Sequence, residues 1–366
     1  MNQQLNQFKN KVTILEMAHL AQAVYSNNQQ NRTYLKKNLV NQPYLPGNLD
    51  KRAYFWISQE DFYFLKYRLY IHKNILGFNY KDPLFIRIYY RFPMKFYVDL
   101  DNIPTKLPYP VEHWTPDAEV FVARGTQLKK VELYTSFCNL RDDLLIALQS
   151  RPSTMNAVDK AYNIAVNDPC TRKHGLQVKL VGHSLGAAEV TMLAIEVAIK
   201  NRRKPPVTIA FNSPGVGFLL NLHTLPKTKE QLHNTIKKKG KELSYSYFKY
   251  IHNFNSSKGI INKIGEQVGS QQTINIKINN ELTEVVYDEL IKIYKEIKHG
   301  NMRSVEQIIV GLMIRTSTIS RLNTMLPLAE IGIIGILLAA EAYHQHKMLN
   351  MIDVIKKNPK IARETF

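Results

Sequence analysis

Acidic residues are in short supply: 30 Asp and Glu stand against 49 Lys and Arg, giving a formal charge of +19. That balance is unusual for a metabolic enzyme acting on neutral solutes and points to anionic partners, either nucleic acid or a membrane surface carrying acidic lipid. Cysteine is scarcer still. Cys138 and Cys170 are the only two, with no C-x-x-C pair and no Cys/His ligand spacing, so neither a disulfide framework nor a zinc site is expected. A long apolar run is also missing. The most apolar stretch, LPLAEIGIIGILLAAEAY at 326–343, holds ten uncharged residues between Glu330 and Glu341. A membrane-spanning helix needs about 20, which makes a buried or interfacial helix the expectation there. The first residues, MNQQLNQFKNK, lack the apolar core of a secretory signal, because Lys9, Lys11 and Glu16 interrupt it, and Sec-type export is not expected.

What is present is a chain of 366 residues with 45% hydrophobic content, long enough for a sizeable core. Between Phe8 and Tyr25 the residues Val12, Leu15, Ala18, Ala21 and Val24 recur at three-residue spacing, which predicts a helix with one apolar side. Residues 54 to 100 are crowded with aromatic and basic side chains, and LFIRIYYRFPMKFYVDL reads as two strands joined near Pro93. From Pro110 the tempo changes. Apolar runs at 118–123 (AEVFVA), 176–182 (LQVKLVG), 206–211 (PVTIAF) and 247–254 (YFKYIHNF) alternate with segments long enough for helices, the signature of a parallel sheet with crossover helices. The division expected is 1–109 as a helical and hairpin region packing on or capping the core, 110–312 as the α/β core, and 313–366 as a helical tail. Within the core, 223–246 reads as a polar, lysine-rich insertion.

One stretch asks for a chemical explanation. KLVGHSLGAAEV, residues 179–190, seats Ser184 between Gly182 and Gly186, after an apolar strand and before a run of helix formers. A nucleophile elbow requires that strand, turn and helix, because the turn must lift the serine oxygen clear of the sheet while small neighbours let the two backbones nearly touch. The amino end of the following helix then points its N–H groups at the place where an oxyanion would form. Ser184 is the candidate nucleophile and the N–H of Leu185 a candidate oxyanion donor. A Gly-Ser loop closing a purely structural unit is the alternative.

The wording of this stretch resembles a known family. GHSLGA after a strand is similar to the GHSLGG elbow of class 3 lipases, which are α/β-hydrolases. VFVARGT, 120–126, resembles the family's strand and R-G-[ST] turn, and TIAFNSPGVG, 208–217, resembles the strand and Pro-Gly turn after the elbow helix. The likeness is good over 118–217, weak over 247–310, and in the first hundred residues confined to an opening helix with a LAQAVY run. It implies an α/β-hydrolase-like, mostly parallel sheet flanked by helices, a serine esterase activity without cofactor or metal, and Thr126 as the second oxyanion donor. Arg124 and Gly125 also fit an ordinary strand-terminating turn.

A serine nucleophile needs a base, and the base a third group to hold its tautomer. In α/β-hydrolases the chain order is Ser, acid, His. Six histidines follow Ser184: His223, His233, His252, His299, His344 and His346. His223 and His233 fall in the polar insertion, and His252 falls inside a strand, where a core or edge role is expected. His299 lies at a break between two helical patterns and resembles the family's late histidine, so it is the candidate base; a cation near a helix carboxyl end is its other reading. The acid is missing where the family has it. After YFKYIHNF the chain reads NSSKGIIN, with Lys258 or Gly259 at the aspartate position. Only Asp288 and Asp353 are aspartates downstream of Ser184; Asp288, on the segment leading to His299, is the candidate acid and Glu266 its rival.

The expectation is therefore an esterase of lipase, phospholipase A or lysophospholipase type acting on lipid at an anionic membrane surface. The alternative is a catalytically impaired hydrolase scaffold used for membrane binding or interaction. Nucleic acid is not expected as a partner, since NRRK at 201–204 and KKKGK at 237–241 come with no nucleic-acid-reading motif. A peripheral protein of the cytoplasm, or a bacterial effector exported by a route other than Sec, would suit this combination.

Overall fold

The runs AEVFVA and VKLVGH form strands whose every residue is buried, as a central parallel strand covered on both faces must be. They are β3 (Ala118–Ala123) and β4 (Val178–His183) of a seven-stranded sheet in the computed structural model. The structure is described for residues 10–26, 28–39, 54–67, 86–103, 107, 109–125, 152, 154–201, 205–217, 248–257, 262, 267–276 and 348–366. The other strands are β1 (Tyr54–Ser58), β2 (Ile86–Pro93), β5 (Thr208–Phe211), β6 (Ile251–Ser256) and β7 (Ser270–Ile274). Their spatial order follows the chain, with β1, β2 and β3 antiparallel and β3 to β7 parallel. This is the mostly parallel, helix-flanked sheet of an α/β-hydrolase-like fold. The sheet reaches across position 110, because β1 and β2 belong to it.

Helices cover both faces. On one lie α4 (Met155–Asn167) and α6 (Leu185–Asn201), whose Val158, Ala161, Ala188, Met192 and Ile195 pack with Phe121 and Leu180. On the other lie α1 (Ile14–Ala23), α2 (Asn28–Leu39), α7 (Met348–Lys357) and α8 (Pro359–Ala362), packed with Val120, Val122, Val181 and Phe211. Burial of each Val, Leu, Ile, Met or Phe side chain among these contributes roughly 1.5–3 kcal/mol before ordering costs are counted. Two shorter α-helices are α3 (Gln59–Tyr67) after β1 and α5 (Pro169–His174) before β4.

Helix α1 starts later than its periodicity predicts. Thr13 caps it, accepting from the Glu16 N–H while the Glu16 carboxylate accepts from the Thr13 N–H, a reciprocal pair that fixes the first turn. Residues ahead of Thr13 are drawn instead into pairing with the chain end: Val12 and Phe366 exchange backbone hydrogen bonds at 3.0 and 3.1 Å. The helix is also buried nearly all round, because α2 and α7 close the side that the sheet does not. Glu16 pairs there with Arg91 (3.1 Å) and accepts from Trp56 Nε1–H (3.1 Å), and Arg91 also holds Asp117 (2.7 Å).

The two-strand reading around Pro93 is corrected. β2 ends at Pro93, which has no N–H for the ladder, and Met94–Phe96 turn into a single 3-10 turn. The antiparallel partner of β2 is β1, from the aromatic run YFWIS. The insertion at 223–246 and the apolar stretch 326–343 lie outside the described residues. Among the described residues no helix is long and apolar enough to cross a membrane.

Candidate functional site

The last rung between β3 and β4 is Ala123↔Gly182, and between β4 and β5 it is His183↔Phe211. Beyond those rungs the strands release Arg124 and Gly125, Ser184, and Asn212 at the carboxyl end of the sheet, where open α/β sheets build their sites. Ser184 sits between β4 and α6 with φ 61°, the left-handed region that a non-glycine residue enters only when its surroundings enforce it. Its N–H donates to Phe211 O (2.9 Å), and its carbonyl accepts from the Ala187 and Ala188 N–H groups as the first turn of α6. The N–H groups of Leu185 and Gly186 open that helix, and the first N–H groups of a helix have no acceptor within it.

The glycines are required by contact. A Cβ on Gly182 would stand 2.3 Å from Gly186 O and 2.6 Å from Ala187 Cα. One on Gly186 would stand 2.3 Å from Ala123 O, and one on Gly125 would meet His183 O at 2.3 Å and Ser184 Cβ at 2.6 Å. Three backbones thus converge on the serine, closer than any side chain permits. The residue is 3% exposed, so the bend is shielded from bulk water.

Tyr25, one residue past the cap of α1, enters the same place. Its hydroxyl lies 2.8 Å from His183 Nδ1 and accepts from the Gly125 N–H at 3.1 Å, with the two rings edge to face. On the β5–β6 side the partners are amides. Asn212, also in the left-handed region at φ 48°, accepts the Ser256 N–H on Oδ1 (2.7 Å), and Gln267 Nε2 donates to Ser213 O (2.6 Å). Asn262 Nδ2 donates to Ser256 O (2.9 Å) and faces Asn212 Oδ1 at 3.5 Å. Those acceptors identify the nitrogen end of the Asn262 amide. Its Oδ1 is left buried with no partner among the described residues, as are Asn255 Oδ1 and Ser256 Oγ.

Of the residues singled out from sequence, Ser184 and Leu185 meet at this elbow. Thr126, His299, Asp288 and Glu266 lie outside the described residues, as do His223, His233, His344 and His346. His252 is on β6, its Nδ1 2.9 Å from Ser270 Oγ and its ring against Phe366, and burial lowers its pKa. It is committed to its own part of the sheet, as expected for a strand histidine. Where class 3 lipases have an aspartate after this strand, the described residues at the ends of β5 and β6 supply amides and hydroxyls and no carboxylate. Tyr25, His183 and Asn212 were not singled out, although all three stand in the stretches quoted above: LAQAVY, GHSLGA and FNSPGVG. Their residue types are visible in those words, but the contacts that give them a role join positions up to 158 apart.

The family comparison agrees with this geometry. Residues 120–252 match the family described as lipase (class 3), a span running from β3 through the elbow into β6. No curated protein matches the chain. Among solved structures, the extracellular lipase LipA of Serratia marcescens aligns at 13% identity over 69% of this chain with a TM-score of 0.35, and this chain spans 40% of that lipase's length. The Lip2 lipase of Yarrowia lipolytica aligns at 14% identity over 68% of this chain and 80% of its own, with a TM-score of 0.29. With the family match over 120–252, a left-handed serine at a strand–helix bend and glycines held in backbone contact, this part of the chain is class 3 lipase-like and the fold is that of an α/β-hydrolase.

Proposed function

We propose that the protein is a serine esterase that cleaves acyl chains from membrane lipids, as a phospholipase A or lysophospholipase, through an acyl-Ser184 intermediate. The observation that carries this reading is the left-handed Ser184 held between β4 and α6 by glycine contacts on both sides. In this scheme Ser184 Oγ attacks the ester carbonyl carbon as His299 takes its proton. The N–H groups of Leu185 and Thr126 receive the oxyanion. Collapse breaks the ester bond, and the imidazolium returns the proton to the leaving alcohol. Water then attacks the acyl-enzyme by the same route in reverse, releasing the fatty acid. Asp288, or its rival Glu266, is the proposed partner for the other ring nitrogen.

The basic balance of the chain supports action at an anionic surface, where each Lys or Arg near the headgroups contributes about 1 kcal/mol. The protein would work as a peripheral enzyme, reached from the cytoplasm or after export by a route other than Sec. Turnover of acyl-labelled phosphatidylglycerol vesicles tests the proposal, together with labelling by a fluorophosphonate. Ser184→Ala should abolish labelling and lower turnover by at least about 10³-fold. Equal labelling of the wild type and Ser184→Ala overturns it. The absence of a carboxylate among the described residues at the ends of β5 and β6 favours one second reading, a catalytically impaired scaffold that only binds the surface. Vesicle binding without any Ser184-dependent turnover is its signature.

A further inference from the structure

We infer that Tyr25 is a positioning residue of the ester-hydrolysing site, its hydroxyl serving as the missing rung between the turn that follows β3 and the elbow that follows β4. The inference rests on the esterase reading given above. Regular pairing of the two strands stops at Ala123↔Gly182, immediately before the residues that carry the chemistry. Past that rung stands the N–H of Gly125. The phenol oxygen accepts it at 3.1 Å and bonds His183 Nδ1 at 2.8 Å. One atom from the amino-terminal helix region thereby ties together Gly125 and the residue preceding Ser184.

The place of the tie explains why it matters. Gly125 approaches Ser184 so closely that a Cβ on it would lie 2.6 Å from the serine Cβ and 2.8 Å from the Tyr25 oxygen. Thr126, the proposed second oxyanion donor, is the next residue in the chain, and the first donor, Leu185, follows Ser184 directly. Thr126 is thus one peptide from Gly125, and Leu185 two from His183, the groups Tyr25 connects. An oxyanion hole works only when its donors are held to within tenths of an ångström of one another before the reaction starts. A tie between the two turns sets that spacing without touching substrate. It acts on the transition state, whose oxygen needs both donors, more than on the bound ester, so its loss falls on kcat and leaves KM nearly unchanged.

Tyr25→Phe keeps the ring and removes the one oxygen. Expected is a fall in kcat of about 10²-fold on a soluble short-chain ester, with KM within about threefold and an equal fall in the rate of fluorophosphonate labelling of Ser184. Hydrogen exchange at the Gly125 amide should accelerate, and Tyr25→Phe combined with His183→Asn should cost less than the product of the two single losses. The idea is overturned if Tyr25→Phe retains the wild-type kcat, or if activity per folded molecule is unchanged and only the melting temperature falls. Wild-type turnover that survives in Ser184→Ala overturns the esterase reading, and this inference with it; Ser184-dependent turnover that is indifferent to Tyr25 overturns this inference alone.

Discussion

The antiparallel flank of the sheet and its parallel carboxyl end are held together by different means. Around β1 to β3 the described structure buries charge. Arg91 bridges Glu16 and Asp117 and lies over the rings of Tyr54 and Trp56 on one face, while on the other Asp168 accepts from Tyr63 and from Tyr90 (2.7 Å) and Glu119 accepts from Thr171 (2.6 Å). At the ends of β4 to β6 the polar contacts run through hydroxyls, amides and an imidazole, namely those of Tyr25, His183, Asn212, Ser256, Asn262 and Gln267. The flank gains register from the Arg91 ion pairs and from buried carboxyls bonded to hydroxyls. The site gains it from steric exclusion and strained backbone.

Three substitutions break or sharpen that contrast. The largest effect is expected in the flank. Arg91→Met leaves Glu16 and Asp117 buried without their cation and should cost about 3–5 kcal/mol of unfolding free energy, measured by denaturant titration at neutral pH. Next comes Gly186→Ala at the site. Its Cβ would stand 2.3 Å from Ala123 O, a backbone atom that cannot swing away, so α6 and β3 must separate. A loss of about 2–3 kcal/mol is expected, together with loss of fluorophosphonate labelling in the fraction that remains folded. A variant that keeps wild-type labelling would show that the elbow tolerates a wider turn.

The smallest effect is set by pH. Burial pushes the Glu119 carboxyl up from its ordinary 4.5 to about 8, and its Oε1 has no partner among the described residues. The folded state therefore keeps a proton that the unfolded chain gives up. The stability this contributes is complete below about pH 4.5 and is lost as pH rises through 8. Glu119→Gln has no proton to lose. It should match the wild type at pH 4.5 and exceed it by roughly 1–3 kcal/mol at pH 8, read from unfolding curves across that range. A wild-type curve parallel to that of Glu119→Gln would mean that Glu119 is ionised in the folded protein. His19 runs with the opposite slope, which separates the two: burial first, then Lys356, lowers its pKa from 6.5 to about 3, so it withdraws stability as pH falls below 6.5.

Legibility differed by element, for physical reasons. AEVFVA announces β3 residue for residue, because a strand covered on both faces needs an uninterrupted apolar run. β6 begins at Ile251, later than the run YFKYIHNF suggests, because residues 248–250 turn before the ladder starts. β7, SQQTI, carries no apolar pattern at all; it is paired to β6 at the end of the sheet order and is exposed along much of its length. The capping box at Thr13 and Glu16 was present in the letters, yet the apolar spacing that continues back to Val12 and Phe8 obscured it.

By itself the sequence determined the class of fold, the elbow and its nucleophile candidate, because strand, glycine, serine and helix are neighbours along the chain and their chemistry is local. Tertiary structure alone decided what braces that elbow. Tyr25, Gly125 and His183 come from three separate segments, and Asn212, Ser256 and Asn262 from two more, so which donors meet which acceptors depends on how the sheet aligns its strand ends. Spacing within a single segment carries no information about that alignment.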